Sequence, residues 1–424
     1  MKSRPILLTA AAAVVFTACS SGGATTAPST APTTAPVESM APSMDPSMAP
    51  MSPSASAALT DTAAADLRTQ LDLKLGAHII FASKATGAAL GGRADEFAAY
   101  GNLLNTNGTS LGDMIGSVYG ADAKDAFNKI WSAHNGFFVD YTTGVATKDK
   151  AMQDKAVENL TTVYVPQFVD LIVGATGLPK DAVTGLITDH VLQTKAIVDA
   201  QAAKDWPAAY AAVRSAYAHM FLIGDALAGA IVTQNPDKIA GDPANAGVDL
   251  RVGVNQLLQE HLYVATSATA AALGGRADEF AAAGGVLNTN GTDLGAAIGS
   301  VYDGAAKDTF NKIWSAHNGF FVDYTTGVAT RDKAMADKAV EDLTMVYLPE
   351  FADFLSGATD LPNAALTELI KTHVLTTKAV VDAQASEDWT AAAAADLAAG
   401  EHMQLIADPL AKAIVAKLPE KFAN

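Results

Sequence analysis

Residues 127–147 read FNKIWSAHNGFFVDYTTGVAT, and the same letters return unchanged at residues 310–330. Apolar side chains recur in this stretch with the 3.6-residue period of a helix that buries one face. A histidine, His134, lies on the same face as these apolar positions, which are Phe127, Ile130, Trp131, Phe138, Tyr141 and Val145. The stretch therefore predicts an amphipathic helix with an imidazole on its buried face.

The repeat extends far beyond this helix, because residues 67–238 recur 183 positions later without an insertion. The shift places every histidine of the first copy on a histidine of the second: His78, His134, His190 and His219 correspond to His261, His317, His373 and His402. The chain thus holds two copies of one module, at 61–235 and 248–424. A linker at 236–247, rich in proline and glycine, joins them. Each copy is long enough to bury a core of its own.

A second repeat lies inside each module. His134 follows His78 by 56 residues, and His190 follows His134 by the same interval. Turn signals come after the three histidines, at 91–95, 147–149 and 204–207, and each contains an aspartate suited to cap the next helix. The spacing predicts an all-α fold of two tandem six-helix bundles, each built from three αα-hairpins. The first helix of each hairpin should carry a histidine near its middle.

The four histidines of a module should lie at one level of the bundle. His78, His134 and His190 each precede their turn by 15 residues, and His219 follows Asp205 by 14. If the hairpins pack in register, all four imidazoles form one layer, with His219 facing His190. The turn-favouring run at 105–109 and Pro166 predict broken backbone beside this layer.

Clustered neutral imidazoles are ligands that suit zinc and copper. We therefore predict a copper or zinc site in each module, with all eight histidines as candidate ligands. The side chains that could hydrogen-bond these ligands are Asp140, Tyr141, Asp323 and Tyr324. Two alternatives remain open at this point. The histidines could be core residues of a structural or protein-interaction module, or His190 and His219 could hold a b-type haem.

Catalytic signatures are missing from the sequence. It contains no Glu-x-x-His, no His-Glu-x-x-His, no Cys-x-x-Cys-His, no phosphate-binding loop and no Gly-x-Ser-x-Gly. We assign no catalytic residue, and the pattern favours a binding protein over an enzyme. The net charge of -17, without a cluster of lysine and arginine, argues against nucleic acid as a partner.

The N-terminus resembles the signal peptide of bacterial lipoproteins. Lys2 and Arg4 precede a short apolar run, and Phe16-Thr17-Ala18-Cys19 resembles a lipobox. Cys19 is the only cysteine, and lipidation would consume its thiol. We expect a signal peptide at 1–19, a disordered tether at 20–60, and an exported protein anchored by lipid to the extracytoplasmic membrane face. An ordinary secretion signal is the alternative, and no protein partner is indicated.

Closely spaced methionines occur within the predicted tether, at Met40, Met44, Met48 and Met51. Thioethers suit Cu(I). The surrounding Ser-Met-Ala-Pro letters favour a degenerate repeat over a copper site.

Three segments carry a resemblance to a known domain: Gly-Ser-Val-Tyr at 116–119, the stretch 134–141, and Tyr-Ala-His-Met at 217–220. They resemble an exported, histidine-containing helical domain of bacterial lipoproteins, some members of which are labelled copper amine oxidase-like. The oxidase cofactor sequence, Thr-x-x-Asn-Tyr-Asp/Glu, is missing here. The resemblance implies a secreted all-helical histidine domain and not an oxidase.

Overall fold

The structure is a computed structural model that describes residues 57–422, and within this range it is helical with no strand. A short helix, Ala57–Thr60, precedes six long ones in the first half. They are α1 Ala63–Leu90, α2 Ala94–Tyr119, α3 Ala121–Thr147, α4 at 150–176, α5 Lys180–Ala203 and α6 Trp206–Gln234. Helix α4 runs through Lys150–Asn159, a π-helical turn at Leu160–Tyr164, and Val165–Thr176. The predicted all-α class is confirmed.

The second half repeats this order. Its helices are α7 Ala246–Leu273, α8 Ala277–Val301, α9 Gly304–Thr330, α10 at 333–359, α11 Asn363–Ala385 and α12 Trp389–Lys417. Helix α10 has the same three parts as α4: Lys333–Asp342, a π-helical turn at Leu343–Tyr347, and Leu348–Thr359. A 3₁₀ turn, Pro419–Lys421, follows α12.

The hairpin turns lie where the sequence indicated them. Lys148 and Lys204 end their helices in the left-handed region, with φ of 59° and 56°. The next residue then begins a new helix: Asp149 accepts from the Met152 amide at 3.0 Å, and Asp205 accepts from the Ala208 amide at 3.2 Å. Each aspartate thereby satisfies an amide that the first helical turn leaves without a partner.

Of the two irregularities expected in the second helices of the hairpins, the one at 105–109 is wrong, and the one beside Pro166 is a π-helical turn. Residues 105–109 continue α2, because Asn107 Nδ2 donates to the Lys74 carbonyl of α1 at 2.8 Å and packing outweighs the local turn preference. Pro166 does not end α4 either. The π-helical turn Leu160–Tyr164 directly precedes it, so the helix passes the proline with one altered turn.

Within the described residues, the two copies pack into one compact unit. Their contact is reciprocal: Arg68 Nη1 lies 2.6 Å from Asp249 Oδ1, and Arg251 Nη1 lies 2.7 Å from Asp66 Oδ1. The two ion pairs are equivalent, because adding 183 to the numbers of Arg68 and Asp66 gives Arg251 and Asp249. Such reciprocal contacts are typical of an interface between two like subunits. The main apolar core of the first half also includes side chains of the second: Val248, Val252, Tyr263 and Ala393.

The ends of the fold bear on the predicted tether. Residues 57–60, the last four of the predicted tether, form the short helix, and the Thr60 carbonyl accepts from Arg251 Nη1 at 3.0 Å. The predicted signal peptide, Cys19, the four methionines and the rest of the tether lie outside the described residues. Among the described helices, α6 alone is long and apolar enough to cross a membrane, but 61% of that apolar window is buried in the protein.

Candidate metal centre

Three histidines from three different helices converge in each half. In the first half they are His78 of α1, His134 of α3 and His190 of α5, and each offers a ring nitrogen within 4.8 Å of the others. The Nε2 atoms of His134 and His190 lie 3.3 Å apart. His261, His317 and His373 form the same arrangement in the second half. We call these groups the first and second triad.

Burial keeps the triad imidazoles uncharged. Burial, and then the neighbouring His190, lower the pKa of His78 to about 3. Burial lowers the pKa of His261 to about 4, and that of His373 to about 3 with help from neighbouring histidines. The pKa values of His134 and His317 are lowered by the same causes. At neutral pH the triads therefore present neutral imidazole, which is the form that binds metal.

Aromatic rings fix the orientation of the first triad. The Trp131 ring lies 4.6 Å from that of His78, and the Tyr164 ring stacks on His134 at 4.4 Å. Tyr164 ends the π-helical turn of α4, and π turns are frequent at functional sites. In the second half, Trp314 and Tyr347 take the same places at 4.5 and 4.3 Å.

Sequence reasoning missed these aromatic contacts. The helical period places Trp131 only on the apolar stripe, and no local pattern marks the π turn that brings Tyr164 onto His134. The one available signal is Pro166, two residues beyond Tyr164, which points to irregular backbone at this level.

A glycine lets the tryptophan approach the first triad. A Cβ atom on Gly108 would lie 2.8 Å from Trp131 Cδ1 and 2.9 Å from Nε1, which is closer than real contacts allow. Gly291 makes the corresponding approach to Trp314 at 3.0 and 3.2 Å. The glycine of the Asn-Gly pair therefore serves helix packing rather than a turn.

Most triad histidines have a ring nitrogen without a hydrogen-bond partner among residues 57–422. These atoms are Nδ1 of His78, His134, His190, His261 and His317. His373 differs, since its Nδ1 lies 3.4 Å from Thr377 Oγ1. Since the Nε2 atoms of His134 and His190 face each other, Nδ1 of these two rings is not the atom that a metal ion would use.

His219 and His402, predicted as fourth ligands, lie outside the triads. His219 faces α5 as expected, but its Nε2 donates to the Leu186 carbonyl at 2.8 Å. His402 makes the same bond to Leu369 at 2.8 Å. The carbonyls that accept these bonds lie one helical turn before His190 and His373. The predicted layer of four histidines is therefore wrong, and the structure has a group of three in each half. A haem held between His190 and His219 would need Nε2 of His219, and this atom is already bonded to the Leu186 carbonyl.

The four side chains expected to support the ligands have other surroundings. Asp140 and Asp323 are exposed. The hydroxyl of Tyr141 donates to Asp199, and that of Tyr324 donates to Asp382. Within the described part of the chain, none of the four hydrogen-bonds a triad histidine.

A cavity reaches the second triad from the surface. It has a volume of about 620 Å³, and all three triad histidines line it. Val322, which is 44% exposed, lines its outer part. An ion or a small molecule can therefore reach the imidazoles without the core opening.

Comparisons with known proteins assign no family to this geometry. No family model matches the chain, and no curated protein or solved structure matches it. The function must therefore be argued from the site itself. What the residues provide is two buried groups of three neutral imidazoles that could hold a metal ion.

Proposed function

We propose that the protein binds two metal ions, one in each histidine triad, and that the metal is copper or zinc. The observation that carries this proposal is the convergence of three ring nitrogens to within 4.8 Å, twice, at positions related by the repeat. The three helices of each half bring their histidines together at mid-length, on their buried faces.

The donor set supports copper or zinc over the harder cations. Calcium and magnesium prefer oxygen ligands, whereas imidazole suits zinc and copper. A zinc–nitrogen bond of about 2.0–2.1 Å in tetrahedral geometry separates two nitrogens by about 3.3 Å. The Nε2 atoms of His134 and His190 already lie 3.3 Å apart.

The rival function is a structural or interaction module with core histidines. His219 and His402 are examples of core histidines whose hydrogen-bonding needs are met, because each donates to a backbone carbonyl. The triad histidines differ, since they turn toward one another: each triad offers three ring nitrogens within 4.8 Å, and Nε2 of His134 and His190 lie 3.3 Å apart without contacting a backbone carbonyl of the described residues.

The proposed setting is the cell envelope. The basic residues, apolar run and Cys19 of the N-terminus support an exported lipoprotein held at the extracytoplasmic membrane face. An envelope location would expose the triads to metal ions outside the cytoplasm.

Thermal unfolding of the full chain with and without Zn²⁺ or Cu²⁺ tests the proposal. A metal at about 100 times its Kd should stabilise the wild type by about 2.7 kcal/mol per site. The double variant His134→Ala/His317→Ala should gain no stability from metal. The matched control His219→Ala/His402→Ala removes two buried histidines outside the triads, so it should keep the full metal effect. Equal metal effects in both double variants would exclude the triads as the site.

A further inference from the structure

The cavity above the second triad has an unusual lining for this chain. The protein contains 45 acidic and 28 basic residues, yet within 57–422 none of the residues that line the cavity is Asp, Glu, Lys or Arg. Its walls combine apolar side chains, such as Phe280 and Leu287, with neutral amides, such as Asn288 and Asn318. Among the described residues that line it, the three histidines are the only titratable ones.

A divalent ion in the second triad would carry a charge that this cavity does not balance. Three neutral imidazoles leave the ion with both positive charges, and a charge away from water requires a counter-charge. None of the described lining side chains is anionic, so an anion from solution would supply the counter-charge. The open coordination position of such an ion takes water or an added ligand, and an anionic ligand would also balance the charge.

The geometry gives the ion one accessible side. Tyr347 stacks on His317 at 4.3 Å and does not line the cavity, so an aromatic ring covers the triad away from the opening. Trp314 does line the cavity, and its Nε1 is a buried donor without a partner among residues 57–422. An anion bound to the metal could accept a hydrogen bond from such a donor.

The size of the cavity points to an organic anion. About 620 Å³ falls within the range of small-molecule sites and exceeds what hydroxide or chloride would fill. We propose that the metal ion of the second triad keeps a coordination position open toward the cavity and binds there the carboxylate of a small organic acid, whose apolar part lies in the cavity. This inference rests on the proposed metal binding.

Two adjacent glycines of α8 provide a matched pair of variants. A Cβ atom on Gly284 or on Gly285 would have no heavy atom within 4 Å, so a larger side chain fits at either position. Gly284 lines the cavity and Gly285 does not. Gly284→Phe should therefore fill the cavity, while Gly285→Phe should leave it open.

The test uses the full chain loaded with Co²⁺, whose visible spectrum reports its ligands, and benzoate as the probe. Benzoate should change the spectrum saturably. In the background His190→Ala, which leaves the second triad intact, Gly284→Phe should weaken benzoate binding by about tenfold or more, and Gly285→Phe should not. The comparison is repeated in the wild-type background, where Gly284→Phe should again weaken the benzoate response and Gly285→Phe should not, so the test does not depend on the folding of His190→Ala.

Three results would overturn the inference in distinguishable ways. If Co²⁺ binds and benzoate leaves the spectrum unchanged, this inference fails and the proposed function stands. If benzoate binds equally well to Gly284→Phe, the ligand does not occupy the cavity. If neither Co²⁺ nor Zn²⁺ nor Cu²⁺ binds, both proposals fail.

Discussion

The Nε2 atoms of His134 and His190 lie 3.3 Å apart although their residues are 56 positions apart in the chain. This is about the separation that two ligands of a tetrahedral zinc ion require. The nitrogen that His78 offers lies within 4.8 Å of those of the other two histidines, so metal binding needs only a small side-chain movement. The site is thus largely formed before an ion arrives, which keeps the cost of binding low.

The close approach of Gly108 to Trp131 should be necessary for the first site. Gly108→Ala places a methyl group within 3 Å of the indole, which packs against His78. We expect it to lower the free energy of unfolding by about 1–3 kcal/mol and to weaken metal binding at the first triad. Urea unfolding and metal titration measure the two effects.

Gly101→Ala is the control for that variant. It lies on the same helix, and its Cβ would meet no atom within 4 Å. Alanine should therefore stabilise α2 by up to about 1 kcal/mol through helix propensity alone. If Gly108→Ala behaved like Gly101→Ala, the account of the tryptophan contact would be wrong.

Asp72 should make stability depend on pH. It is fully buried, and burial, followed by the charge of Asp225, raises its pKa well above the usual value, although Arg68 opposes this. A raised pKa in the folded state means that the stabilising contribution is present below pH about 4 and is lost as pH rises through the folded-state pKa. Asp72→Asn should therefore raise the free energy of unfolding at pH 7 by about 1–3 kcal/mol and leave it unchanged near pH 3.

The second half supplies the reverse control for Asp72. Asn255 occupies the equivalent position, and its amide donates to Asp408 at 2.8 Å. Asn255→Asp should destabilise the protein at pH 7 and not near pH 3. Urea unfolding across this pH range measures both variants, and a pH-independent effect of Asp72→Asn would show that the fold does not raise the pKa of the carboxyl.

The halves should unfold together because a buried ion pair joins them. Lys84 of the first half pairs with Asp396 of the second, which is fully buried and also accepts from Tyr100 at 3.0 Å. Asp396→Asn leaves Lys84 without its counter-charge and should cost about 3–5 kcal/mol. Lys84→Met/Asp396→Asn should recover most of this loss. Two separate urea transitions in the wild type would contradict the shared core.

The repeated spacing of the histidines predicts the hairpin turns and a shared histidine layer. Helical period and turn chemistry are local properties of the chain, so they place His78, His134 and His190 at equal distances from their turns, and packing of the hairpins in register then brings the three to one level. The exclusion of His219 is not predictable in this way. If α6 were displaced by one helical turn along α5, the His219 imidazole would contact a triad histidine instead of the Leu186 carbonyl. This displacement depends on how α5 and α6 pack.

The contacts between the two halves are also beyond what the sequence predicts. Two similar modules joined by a linker rich in proline and glycine suggest independent bundles. In the structure, however, Arg68 pairs with Asp249 and Arg251 pairs with Asp66 across the contact. The linker residues that separate the helices do not indicate whether the modules touch. Similarly, Pro166 is the only sequence signal of the π turn that brings Tyr164 onto His134.

Metal stoichiometry is the most direct test of the central claim. Equilibrium dialysis of the full chain against Zn²⁺ or Cu²⁺, followed by elemental analysis, should give two ions per chain. His190→Ala and His373→Ala should each give one, and their combination none. His219→Ala should still give two, although loss of its bond to Leu186 should destabilise the protein by about 1–3 kcal/mol. A wild-type chain that retains no ion, or a double triad variant that retains both, would contradict the account.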